Sequence, residues 1–109
     1  MKNEKTAKSF LRRIIRHAKI DPYLCIGVDC PETGESFYWG TKESELLESI
    51  FGVESCYVRF VDLTTSRELG ALAIFLDYDF DHDPEQIIYD YINNDWTNKL
   101  MKYATKESK

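Results

Sequence analysis

No stretch of this sequence stays apolar for the roughly 18 residues that a membrane-spanning helix needs. The first twenty residues alternate charged with apolar positions, which is unlike a secretory signal. Glycine is sparse and scattered. Gly27, Gly34, Gly40, Gly52 and Gly70 are too dispersed to form a phosphate-cradling loop, which weakens nucleotide-dependent catalysis. No serine or cysteine sits in a glycine-flanked nucleophile elbow, so acyl transfer has no recognisable nucleophile. Cysteine and histidine are equally few. Four residues separate Cys25 from Cys30, where zinc knuckles and thioredoxin-like motifs have two, and His17 and His82 with Cys56 do not complete a metal set. The odd thiol count argues for free cysteines, hence a reducing compartment. These absences predict a soluble, cytoplasmic chain without cofactor or structural metal.

Charge of both signs and aromatic residues are plentiful. The 109 residues are 43% hydrophobic and 30% charged, with two Trp, seven Tyr and six Phe, enough apolar material for one globular domain spanning 1–109. The ends, 1–4 and 105–109, are expected to fray. The net charge of −5 conceals a strong division: residues 1–20 carry +6, residues 21–96 carry −14 and residues 97–109 carry +3. Such asymmetry is an argument about partners rather than about fold.

From Lys5 to Lys19, Ala7, Phe10, Leu11, Ile14, Ile15 and Ala18 recur at helical spacing, while Lys5, Lys8, Arg12, Arg13, Arg16 and Lys19 occupy the opposite arc. Asp21-Pro22 ends this helix. Tyr23 to Asp29 and Glu35 to Gly40 read as strands joined by the turn Pro31-Glu32-Thr33-Gly34. Thr41 is placed to cap a second helix with Leu46, Leu47, Ile50 and Phe51 as its stripe, ending at Gly52. Cys56 to Leu63 and Leu69 to Asp79 form a second hairpin. Asp83-Pro84-Glu85-Gln86 has the cap, proline and glutamine of a helix start, which predicts a third helix through Ile88, Tyr89, Ile92, Trp96, Leu100 and Tyr103. Asn93-Asn94-Asp95 are poor helix formers inside it. The expected fold is α+β: helix, hairpin, helix, hairpin, helix, with one four-stranded antiparallel sheet and the helices on one face.

The segment Asp77-Tyr78-Asp79-Phe80-Asp81-His82-Asp83 places a carboxylate at every second position. It fails the calcium-loop pattern in both registers, because the sixth and twelfth places lack the required Gly and Glu. Alternation fits a strand instead, with Leu72, Ile74, Leu76, Tyr78 and Phe80 inward and the aspartates outward. That row, Asp77, Asp79, Asp81 and Asp83 with Glu85, is the candidate surface for a basic partner, unless Arg59 on the neighbouring strand neutralises it. His82, between two aspartates, is a candidate general acid/base or metal ligand. The Phe37-Tyr38-Trp39 triplet is assigned to the core ahead of a base-stacking role. Ile87 and Tyr91 fall opposite Ile92 and Trp96 on the expected third helix and are candidates for self-association into a homodimer.

The functional expectation is a small, non-enzymatic acidic protein that inhibits or regulates a protein partner through its acidic surface. In charge and size it resembles small bacterial immunity proteins and phage-encoded inhibitors, without a shared motif. The alternative is nucleic-acid binding through Lys8, Arg12, Arg13, Arg16 and Lys19, which a −14 body would oppose. The preferred reading is that this basic helix packs near the acidic body of its own chain or of a dimer mate. A second alternative is a small metal-dependent enzyme around His82 with Asp79, Asp81 or Asp83.

Overall fold

The structure, a computed structural model, describes residues 4–53, 55–76 and 87–107. Helix α1 (Glu4–Ala18) forms where helical periodicity predicts it, and Ala7, Phe10, Leu11, Ile14, Ile15 and Ala18 are all buried. The Asp21 carboxylate then accepts the Tyr23 amide at 2.9 Å and turns the chain into β1 (Leu24–Asp29). β1 pairs antiparallel with β2 (Ser36–Gly40). Their turn needs glycine: Gly34 has φ of 76°, and its amide donates to the Cys30 carbonyl at 2.8 Å.

Helix α2 (Glu43–Phe51) starts after Lys42, whose side chain makes no capping bond, so the expected Thr41 cap is not formed. Glu43 and Glu45 in the first turn supply the favourable charge at that end instead. Strands β3 (Ser55–Asp62) and β4 (Arg67–Phe75) make the second hairpin. Asp62 organises its turn by accepting the Thr64 amide at 2.8 Å and the Thr64 hydroxyl at 2.6 Å, and these donors hold its carboxyl below the usual range.

The third helix is corrected. Residues Ile88–Tyr91 are a strand, β5, paired antiparallel with β4, and the helix, α3 (Asp95–Glu107), begins only afterwards. Ile88, Ile92 and Trp96 recur every four residues, but Ile88-Tyr89-Asp90-Tyr91 also has the β-branched and aromatic content that completes a sheet. The residues read as a weak point inside the helix are its true start. Asn94 accepts the Thr97 amide at 2.8 Å as an N-cap, and its Nδ2 donates to the Leu69 carbonyl at 3.0 Å, tying α3 to β4.

The sheet therefore has five strands rather than four, in the order β2-β1-β3-β4-β5, with every neighbouring pair antiparallel. Alternation assigns its faces. Leu24, Ile26, Val28, Cys56, Val58, Phe60, Leu72 and Ile74 join the buried stripes of α1, α2 and α3 in one core cluster. Gly70 lets α3 approach closely, since a Cβ there would lie 2.1 Å from the Thr97 hydroxyl. Ile87 is fully buried in this core, so it is not a surface for self-association, whereas Tyr91 is exposed. Leu72, Ile74 and Leu76 are buried as expected, but β4 ends at Phe75. Asp77, Tyr78, Asp79, Phe80, Asp81, His82, Asp83 and Glu85 lie outside the described residues. No helix among the described residues is long and apolar enough to cross a membrane.

Candidate functional site

The face of the sheet turned away from the core cluster carries the polar chemistry. On β1 the alternation that buries Ile26 and Val28 sends Gly27 and Asp29 the other way, and on β3 it does the same for Tyr57 and Arg59. The two strands are paired with Gly27 opposite Arg59 and Asp29 opposite Tyr57, which makes Asp29 and Arg59 diagonal neighbours.

Asp29 is 5% exposed and fully engaged. One carboxylate oxygen accepts from Arg59 Nε; the other accepts the Ser36 hydroxyl at 2.8 Å. The Ser36 oxygen in turn accepts the Trp39 indole N–H at 2.7 Å, and the Arg59 guanidinium lies 4.8 Å from the Trp39 ring centroid. The result is a closed circuit of hydrogen bonds and a cation–π contact across three strands. Gly27 makes room for it: a Cβ there would sit 2.8 Å from the indole ring. Glu68 approaches the outer side of Arg59 at 4.0 Å.

Beside this circuit a groove of about 410 Å³ opens, with Ala71 and Ala73 among its lining and Tyr57, Tyr91, Ile92, Glu68 and Asp90 around them. Ala71 and Ala73 are buried without belonging to the core cluster. Their small side chains leave the depression between the larger ones on β3 and β5. Asp29, Glu68 and Asp90 set three carboxylates against the single guanidinium of Arg59, so the groove is acidic. Tyr57 and Tyr91 are each about two-fifths exposed and add aromatic surface. Cys30 also lines the groove, its thiol pKa lowered by hydrogen bonds from the Thr33 side chain and from the Thr33 and Glu32 backbone. Cys56 is the opposite case, buried in the core and pushed up to about 12 by desolvation. All three cysteines are free.

The sequence-level candidates divide. The basic residues of α1 do not form one free cationic face. Arg16 makes a two-pronged contact with Glu43 of α2 at 2.7 and 3.1 Å, and Arg12 lies 3.7 Å from the same carboxylate. Arg13 Nε donates to the Ala104 carbonyl of α3 at 3.4 Å, Lys8 sits 5.2 Å from the Phe51 ring, and Lys19 is exposed. Of the aromatic triplet assigned to the core, Phe37 and Trp39 are exposed because β2 is an edge strand. Tyr38 packs against the core and donates to Glu45 at 2.9 Å. Arg59, considered as the counterion of the aspartate row, has Asp29 and Glu68 as its described partners. His82 and that row lie outside the described residues, and among those described no three His, Cys, Asp or Glu side chains converge to hold a metal. No family model, curated protein or solved structure matches this chain.

Asp29 was not singled out by sequence reasoning. A trace of it is legible, because an aspartate closing an otherwise apolar strand, two positions after a glycine, breaks the pattern. Its partner could not be read, since Arg59 lies thirty residues away and meets it only through strand pairing.

Proposed function

We propose that the chain is a non-enzymatic binding protein that inhibits or regulates a protein partner, and that the sheet face turned away from the core cluster receives a basic segment of that partner. The acidic groove beside the Asp29–Arg59–Trp39 circuit carries this reading. The groove offers carboxylates and tyrosines together. A lysine or arginine side chain gains from both, by ion pairing and by stacking on aromatic faces. The −14 body supplies the longer-range attraction, to which Asp77, Asp79, Asp81, Asp83 and Glu85 contribute through their charge. Nucleic-acid binding is less favoured, because Arg12 and Arg16 already face Glu43.

The test is recovery of bound molecules from a lysate by the tagged protein, at low and at moderate salt, with two variants alongside. A stoichiometric basic protein, released as salt rises and lost by a Glu68→Lys, Asp90→Lys variant but kept by Arg12→Gln, Arg13→Gln, Arg16→Gln, is the expected result. Nucleic acid retained by the first variant and lost by the second would overturn it.

A further inference from the structure

On the face turned away from the core, the sheet continues past the acidic groove. Directly opposite residues of two strands share a face, and β3 and β4 pair Arg59 with Ala71, Tyr57 with Ala73 and Ser55 with Phe75. These pairs are three successive rungs, each about 7 Å from the next. The groove spans the first two rungs. A second depression, of about 340 Å³, spans the last two, with Pro31 and Tyr89 also in its lining. Pro31, Tyr57 and Ala73 belong to both, so the two depressions share a wall.

Their chemistry differs. Three carboxylates line the groove, whereas no charged side chain is found among the described residues that line the second depression. Tyr89 there is 67% exposed and Tyr57 42%, while Phe75 is not part of the core cluster. Apolar and aromatic surface in a concave site gains from being covered, because water leaves it. A lysine or arginine alone fills the groove and leaves that surface wet. An apolar residue alone leaves the carboxylates of the groove without a counterion beyond Arg59. An occupant that carries both side chains satisfies the two depressions at once.

Shape decides how those side chains are spaced. β4 lies between β3 and β5, which are therefore roughly 10 Å apart, and its small Ala71 and Ala73 form a floor. Tyr57 borders this trough on one side, Tyr89 and Tyr91 on the other. A helix with its side chains is about 10–12 Å across and does not enter such a trough, whereas an extended segment does. In an extended segment, side chains two residues apart point the same way at about 7 Å from each other, the distance of one rung. We infer that the partner segment received by this face is extended and carries a bulky apolar residue two positions from its lysine or arginine, with the basic side chain in the acidic groove and the apolar one against Tyr57, Phe75 and Tyr89. The inference rests on the reading of the groove as the receptor of a basic segment, and it specifies which basic segments bind.

The test is titration of the isotope-labelled full chain, followed by nuclear magnetic resonance, with four end-blocked pentapeptides: Ser-Lys-Thr-Leu-Ser, Ser-Lys-Leu-Thr-Ser, Ser-Lys-Thr-Ser-Ser and Ser-Ser-Thr-Leu-Ser. The first should bind about tenfold more tightly than each of the others. It alone should move the amide signals of Phe75 and Tyr89 together with those of Ala71 and Asp90. Tyr89→Ser should bring it down to the affinity of Ser-Lys-Thr-Ser-Ser, which itself stays unchanged, with circular dichroism to establish that the variant folds. Equal affinities for the three lysine peptides, or a first peptide indifferent to Tyr89→Ser, would overturn the inference while leaving the groove as a receptor of basic segments. Binding of the lysine-free peptide as tight as that of the first would overturn that reading together with the inference, as would the absence of any shift.

Discussion

Asp29 is a carboxylate enclosed by the sheet, and its cost is met by Arg59 and Ser36 rather than by solvent. Removing one partner of a buried pair leaves the other uncompensated. Arg59→Met is expected to lower unfolding stability by about 2–4 kcal/mol, the lower part of the range reflecting the guanidinium's partial exposure. Asp29→Asn, which keeps an acceptor for Ser36, should cost less; urea denaturation of both variants measures the order. The cysteines give a second contrast at this scale. Cys30 sits at the groove, where hydrogen bonds stabilise its thiolate, whereas the protein interior disfavours charge on Cys56. Iodoacetamide at neutral pH should therefore modify Cys30 well before Cys56, as read by peptide mass spectrometry. Equal rates at the two sites in the folded protein would contradict the described burial. The Cys56 shift also has a thermodynamic sign. Its thiol binds a proton more tightly when folded, so the contribution is complete below the ordinary value of 9.0 and is lost as pH rises toward about 12. The alkaline limb of a stability–pH profile should be shallower in Cys56→Ala, by at most about 4 kcal/mol at its end.

At the scale of elements, α1, α2 and the first two hairpins were legible because each announces itself locally. Periodicity marks the helices, and proline, glycine and short polar residues mark the turns. The segment from Ile88 to Asp95 was not legible in this way, because its residues satisfy a helical and an extended pattern alike. Pairing with β4 decides the matter: β5 continues the sheet, while Ile87 enters the core and Asn94 caps the helix that follows. Asn94→Ala removes both the cap and the bond to Leu69 and should cost about 1–2 kcal/mol, measurable as a lowered denaturation midpoint. Gly70→Ala forces a Cβ against the Thr97 hydroxyl and must move α3 away from β4. A loss of about 1–3 kcal/mol is expected, and an unchanged midpoint would show that the helix does not sit this close.

For the molecule as a whole, the division between a basic start and an acidic body is partly internal. Glu43 draws Arg12 and Arg16 toward α2, and Arg13 meets the carbonyl end of α3, so α1 is held between its two neighbouring helices by charge as well as by its buried stripe. The ion pairs are exposed, and Glu43→Gln should change stability by no more than about 1 kcal/mol. Its effect on nucleic acid is the sharper measurement: the parent should show no duplex binding by gel shift at physiological salt, and binding in both proteins would return the basic helix to the centre of the functional question. The sequence by itself determined a single α+β domain, its first helix with the stripe that helix buries, both hairpins and the sign of charge along the chain. Those properties follow from periodicity and composition, which act between near neighbours. The tertiary structure decided that there is a fifth strand, that Ile87 is buried and Trp39 is not, and that Asp29 meets Arg59 beside an acidic groove. Each of these depends on which strands lie side by side, and that is settled by the free energy of packing the whole sheet against three helices rather than by any short run of residues.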